Sequence, residues 1–200
     1  MDKLEFYIDN FIYISNIEGL DFSFIPSLLK RRLSPLNKAT FYTLEKCLNS
    51  DVENFVYASR YGEFDKLKNL INSFSVENCV SPTMFSSSVH NASIGAFLHK
   101  NKLNKPYVAL AATQNTLSMA LLQSVINPYK VNLFCYSDYI DDEPFSIAML
   151  INKKPIGKRF LIDMKKNEQL EHTEEIPLLV SLLNNEVSSI QFDNYKIEAL

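Results

Sequence analysis

Glycine is scarce, at four in 200 residues, and none of the four falls in G-x-G-x-x-G, G-x-x-x-x-G-K-[ST] or G-x-S-x-G. H-E-x-x-H is missing as well. So few glycines leave the backbone little means of lying against a phosphate, which excludes nucleotide binding by those devices. Cysteine is equally sparse. Cys47, Cys79 and Cys135 are odd in number, with no C-x-x-C spacing and no histidine cluster. They read as reduced thiols, small buried hydrophobes in a cytoplasmic protein, rather than as disulfides or zinc ligands. No run approaches the roughly 20 apolar residues that span a bilayer, since PYVALAAT is stopped by Gln114 and Asn115. The start, MDKLEFYIDN, carries acidic residues where a secretory leader would be basic and then apolar, so export is not expected. With a net charge of −3, a pI of about 5.7 and no Lys/Arg stripe, a nucleic-acid backbone is excluded as a partner.

What is present is ordinary globular usage, 46% hydrophobic and 22% charged, in a chain long enough to bury one core without staples. Phe6, Ile8, Phe11, Ile12, Tyr13 and Ile14 predict one or two strands near the surface of a sheet. Pro26 opens a helix SLLKRRLSPLNK, and Pro35 after Ser34 starts a second, PLNKATFYTLEKCLNS, with Ala39, Tyr42, Leu44 and Leu48 at near-helical spacing. NFVYASR reads as a buried strand, and Gly62 permits a sharp exit into the helix EFDKLKNLINSF. FSSSVHNASIGAFLHKNK reads as one helix, PYVALAAT as a strand and NTLSMALLQSVI as a helix. VNLFCYSDY and PFSIAMLINKK read as strands joined by the acidic loop IDDE. In the tail, KKNEQLEHTEEI reads as charged loop, IPLLVSLLNN as a short amphipathic helix and SSIQFDNYKIEA as an edge strand. No repeat and no linker-like tract interrupts the chain. Strands alternating with helices predict an α/β fold, a mixed sheet flanked by helices.

One place has the geometry of a nucleophile site. The strand PYVALAAT runs directly into NTLSMALLQ, which sets residue 114 at a helix amino terminus, where backbone N–H groups and the helix dipole would stabilise a thiolate. The residue there is Gln114.

The stretch SPTMFSSSVHNASIGAFLHKNKLNKPYVALAATQNTLSMALLQSVI resembles the part of β-ketoacyl synthases in which a Ser-Pro turn, an Asn-Ala-containing helix and a short loop lead to the strand before the active-site cysteine. IPSLLKRRLSPLNK resembles the family's Arg-Arg helix, and NFVYASRYGEF its next strand and turn. Counted from Pro106, Gln114 falls where the cysteine would be. The resemblance covers about Phe24 to Ile151 and is nearest to the stand-alone amino-terminal-domain proteins of aryl-polyene pigment clusters, called chain-length factors. It implies one domain, 1–200, with a core of about 24–151 and a tail of 152–200, built like the amino-terminal half of the thiolase sandwich. It also implies a non-condensing auxiliary subunit that binds a ketosynthase or an acyl carrier protein. Glutamine is neutral and non-nucleophilic, so no catalytic residue and no cofactor or metal is expected. The family's catalytic histidines come from a carboxyl-terminal half that is not expected within 200 residues. Asn91, Thr113, Gln114 and Asn115 would line a vestigial pocket, and Arg31 and Arg32 would meet a carrier protein. Half a sandwich leaves an apolar face that Ile176 to Leu200 or a partner must cover.

The competing reading is a divergent acyltransferase or hydrolase using Ser86, Ser87, Ser88 and His90, or Cys79, although serine and histidine close in sequence do not make a triad without a third group. Gln114 reads equally as a polar residue at a helix start. His99 and His172 read as solvated, Arg31 and Arg32 equally as a solvated face, and Asp141, Asp142 and Glu143 as a solvated loop rather than a cation site.

Overall fold

The computed structural model describes residues 3–164 and 175–200. In chain order the elements are β1 (Lys3–Ile14), α1 (Ser27–Lys30), α2 (Pro35–Cys47), β2 (Asn54–Ala58), α3 (Phe64–Glu77), α4 (Pro82–Ser88) and α5 (Ala92–Lys100). There follow β3 (Tyr107–Leu110), a 3-10 turn (Thr113–Asn115), α6 (Thr116–Ile126), β4 (Val131–Ile140), β5 (Glu143–Asn152), β6 (Lys158–Asp163), α7 (Glu175–Leu183), β7 (Ser189–Gln191) and β8 (Lys196–Ala199). The strands form one sheet in the order β3-β2-β4-β5-β1-β6-β8-β7. β3, β2 and β4 run parallel to one another, and every later pairing is antiparallel.

Period-2 alternation divides the core between the two faces of this sheet. Phe55, Tyr57, Leu133, Cys135, Ala148 and Leu150 point to one side, where α2 supplies Phe41, Leu44 and Cys47 and α5 supplies Ile94, Phe97 and Leu98. Val56, Ala58, Phe134, Tyr136, Ile147 and Met149 point to the other, where they meet Leu117, Ala120, Leu121 and Val125 of α6. Strands covered on both faces read as continuous apolar runs, as NFVYA and EPFSIAMLIN do.

α2 begins where its sequence says. Ser34 is the N-cap and accepts from the Asn37 N–H at 3.0 Å, and Pro35 takes the first helical position. Its inner face carries hydroxyls as well as apolar groups. Thr40 Oγ1 donates to Ser137 Oγ at 2.9 Å, Ser137 and Ser146 share a bond of 2.8 Å, and Thr43 and Ser146 one of 2.6 Å. These groups are fully buried, and their mutual bonds remove the cost of burying them.

The tail closes the α6 side. α7 sets Ile176, Leu179, Leu182 and Leu183 into that core, and the β7–β8 hairpin adds Ile190, Phe192, Tyr195 and Ile197. The Tyr195 hydroxyl donates to the Ser118 carbonyl of α6. Lys158 Nζ on β6 donates to the Leu182 carbonyl at 2.9 Å, which satisfies an orphan acceptor at the end of α7. The apolar face expected to need a cover therefore has one inside this chain.

Several local readings need correction. The amino-terminal segment is one 12-residue strand, interior rather than marginal, with Phe6 and Ile8 in the core; its pairing with β5 shifts register between Ile8 and Phe11, just after its pairing with β6 ends at Ile8. Gly157 fits that bulge because its φ is +89° and a Cβ would strike the backbone of Ile8 and Asp9. SLLK is a single helical turn. FSSSVHNASIGAFLHKNK is two helices, broken where Val89 is extended. β6 was not foreseen, and SSIQFDNYKIEA is a hairpin of two strands rather than one edge. KKNEQLEHTEEI lies almost wholly outside the described residues, with His172.

Replacing Leu179, 2% exposed, by Ala is expected to cost about 2–5 kcal/mol in urea unfolding. The same change at Leu28, 76% exposed, is expected to change stability by less than about 0.5 kcal/mol.

Candidate functional site

The carboxyl ends of β2, β3 and β4 lie together on one edge of the sheet, and both regions with chemical potential are there. The first is the elbow between β3 and α6. β3 enters as the edge strand, and Ala112 N–H donates to Thr116 Oγ1 at 3.0 Å while that hydroxyl donates to the Thr113 carbonyl at 2.7 Å. Left-handed backbone falls on Thr113, φ +51°, a conformation costly for a β-branched residue. Gln114 is in the 3-10 turn, and α6 starts two residues later with Asn115 as its N-cap. Gln114 therefore does not cap α6. Thr113 and Gln114 are exposed and Asn115 is half-buried. Asn91 sits before α5 and donates through Nδ2 to the Tyr107 hydroxyl of β3 at 2.9 Å.

None of the three thiols is at the elbow. Cys47, at the end of α2, and Cys135, on β4, are buried between helix and sheet, as expected, and burial pushes the Cys47 thiol up to about 12. Cys79 departs from that expectation: it is exposed in the loop between α3 and α4. The serine-histidine reading is not assembled. Ser86, Ser87 and Ser88 each donate back to a helix carbonyl, those of Thr83, Met84 and Phe85. His90 pairs its Nε2 with the Ser59 carbonyl at 2.8 Å and packs on Tyr57 and Gly62. His99 is exposed. Asp141 and Asp142 have positive φ and make the two-residue turn of the β4–β5 hairpin. Among the described residues no group of three or more His, Cys, Asp or Glu side chains is placed to hold a metal. Arg31 and Arg32 are exposed in the turn after α1.

The second region has no motif in the sequence. A cavity of about 300 Å³ is lined by Arg60 and Tyr61 after β2, by Tyr136, Asp138 and Phe145 of the β4–β5 hairpin, and by Glu175 and Ile176 at the start of α7. Asp138 is 3% exposed and accepts from the backbone N–H groups of Arg60 at 2.6 Å and Tyr139 at 3.2 Å. Burial raises its carboxyl above the usual range in spite of those bonds. Glu175 is 7% exposed; burial, and then the charge of Asp193, lift it to about 7 against the attraction of Arg60.

The β-ketoacyl synthase N-terminal domain family matches residues 13–177. No curated protein matches the chain. Among solved structures, a chain from the complex of the ketosynthase ApeO with its chain length factor ApeC, from Xenorhabdus doucetiae, superposes with a TM-score of 0.76 at 17% identity, covering 98% of this chain and 99% of that one. A chain of the type II polyketide complex AntDE:AntF, an acyl-carrier protein with its ketosynthase, superposes with a TM-score of 0.60 at 9% identity and covers 77% of this chain and 64% of that one. The ishigamide ketosynthase/chain length factor gives 0.54 at 9%, and this chain spans about half of its length, 48%. At such identities the likeness is one of fold, the thiolase-like α/β fold, with helices on both faces of a mixed sheet.

Glu175 generates a test of the cavity's electrostatics. The folded chain holds its proton up to about pH 7, whereas an ordinary glutamate releases it near 4.5. Stability should therefore fall as pH rises through that window, by up to about 3 kcal/mol at roughly 1.4 per unit. Urea unfolding of Glu175→Gln should show a much flatter profile between those two pH values; an unchanged slope would refute the assignment. The match over residues 13–177 spans most of the chain and includes the elbow, both crossovers and the hairpin, and on that ground the chain belongs to the β-ketoacyl synthase N-terminal domain family.

Proposed function

We propose that this chain is a non-condensing, chain-length-factor-like subunit of a ketosynthase system. The observation that carries the reading is the β3–α6 elbow, which holds Thr113 and Gln114 and no thiol. An amide is not an acyl acceptor. The threonine hydroxyl has no base to activate it: of the described histidines His90 is engaged by Ser59 and His99 is on the far end of α5. Covalent acyl transfer at this elbow lacks its nucleophile.

A surface for a partner lies beside the elbow. β3 is the edge of the sheet. The carbonyls of Pro106, just before it, and Leu110 accept from Phe55 of β2 and from Ser59, just after β2, so alternation turns the N–H and C=O of Tyr107 and Ala109 outward, where they could pair with a strand from another chain. Tyr107 and Val108 are 38% and 37% exposed. Exposed apolar side chains are also gathered on α4 and α3, where Met84 and Phe85, and Phe64, Leu67, Ile71 and Phe74 at helical spacing, face solvent. A patch this extended marks an interface. The occupant we infer is a ketosynthase, as ApeO accompanies ApeC in the structure that matches this chain over nearly its whole length. Exposed Arg31 and Arg32 suit an acidic carrier protein. The subunit would act in the cytoplasm, in a type II fatty-acid-like or aryl-polyene pathway, and influence product length by shaping the partner's pocket.

Light scattering of the chain mixed with a ketosynthase from its own organism should give a heteromeric complex. Ala109→Pro removes one outward N–H without touching the bonds to β2, and should weaken that complex at least ten-fold while leaving the thermal midpoint of the isolated chain within a few degrees. A stable acyl adduct on this chain by intact mass, after incubation with acyl-loaded carrier protein, would overturn the non-condensing reading.

A further inference from the structure

Between β2 and α5 the chain makes an excursion of two helices, α3 and α4, and both ends of that excursion are pinned to one residue. Ser59, just after β2, accepts the Gly62 N–H on its hydroxyl at 2.8 Å, and its carbonyl meets His90 Nε2 at 2.8 Å. His90 lies beside the Tyr57 ring and against Gly62, where φ is +57° and a Cβ would come within 3.3 Å of the imidazole. Glu63, at the start of α3, is buried; it accepts from Ser34 Oγ at 2.7 Å and pairs with Lys66 at 2.8 Å. Buried contacts therefore fix the base of the excursion.

Beyond the base the burial stops. α2 buries eight of its 13 residues, whereas α3 buries one of its 14, Leu70. From residue 71 to residue 87 none is buried, and α3 packs chiefly on α4 rather than on the sheet. The side-chain hydrogen bonds of this stretch to described residues are local: Ser75 donates to the Ile71 carbonyl, Ser86 to that of Thr83 and Ser87 to that of Met84. Helices this short are marginal in water without tertiary burial, and a segment with few buried contacts opens at a small free energy. Ile71, Phe74, Val76, Met84 and Phe85 all face solvent, and covering them would supply the missing burial. We propose that residues 63–89 form a hinged arm: its outer part, 71–87, opens on the Ser59–Gly62–His90 base independently of the sheet in the isolated chain, and the ketosynthase fixes it by covering those five side chains. What covers the arm rests on the subunit reading above; that the arm opens does not. Ordering on contact lowers the affinity per unit area and lets the arm fit itself to the surface it meets.

Hydrogen exchange of the full chain, read by mass spectrometry alone and with a saturating ketosynthase from its own organism, tests both parts. In the free chain the amides of 71–87 should exchange at least about a hundred-fold faster than those of α2, and the ketosynthase should slow them about ten-fold or more. Protection of 71–87 equal to that of α2 in the free chain would overturn the proposal. A complex that forms by light scattering and leaves those rates unchanged would overturn the closing step while the subunit reading stands. No complex would overturn that reading and the closing step with it, and the free-chain rates would still decide whether the arm opens. Slowing of the free chain on raising its own concentration would make a second copy, not the ketosynthase, the cover.

Discussion

The constraint on which the rest of this structure depends is the position of α6. The helix lies on the sheet through Leu117, Ala120, Leu121 and Val125, and its other flank carries Ser118, which is 1% exposed. A helix buried on more than one side needs a second layer, because an uncovered apolar face and an unsatisfied carbonyl each cost free energy in water. The tail extends that core beside α6. α7 contributes four large aliphatic side chains, each worth about 1.5–3 kcal/mol when fully buried, and Tyr195 reaches from the β7–β8 hairpin to the Ser118 carbonyl. The sheet grows three strands beyond β1 to carry that hairpin, and Lys158 on the first of them ties down the end of α7.

Closing one side in this way determines what stays open. The opposite end of the sheet, at β3, has no added strand, and the elbow that follows it holds a left-handed threonine. Strain of that kind persists only where the surroundings fix it; here two bonds of Thr116, to the Ala112 N–H and the Thr113 carbonyl, hold the turn. The elbow is thus a fixed turn that holds Thr113 and Gln114. The charged cavity arises from the same closure, since Glu175 and Ile176 enter the space beside Arg60 and Asp138 only because α7 starts there.

Much of this was legible in the sequence. NFVYA and the two hairpin strands announced themselves as apolar runs, Ser34 and Pro35 marked the start of α2, and the order of motifs around Pro106 pointed to the family. The short elements were not legible. KRFLID is six residues between lysines and acids, too brief for alternation to stand out, and the break at Val89 has neither proline nor glycine to signal it. At the elbow, counting placed Gln114 in the turn; that the left-handed backbone falls on its neighbour Thr113 is a torsional fact that residue identity does not carry. Of the residues expected to form a pocket, Thr113, Gln114 and Asn115 share the elbow and Asn91, before α5, reaches the Tyr107 hydroxyl of β3. The cavity was invisible because its walls come from residues 60, 138 and 175, brought together by crossovers rather than by a motif.

The central claim is that the tail completes this core, so that α6 is secured within the isolated chain. Native-state hydrogen exchange of the chain alone tests it most directly. The account predicts that the amides of α6 open with a free energy close to that of β4 and β5, the central strands. Exchange of α6 near the rate of an unfolded segment, slowed only when a ketosynthase is added, would mean that the partner rather than the tail covers this face, and would contradict it.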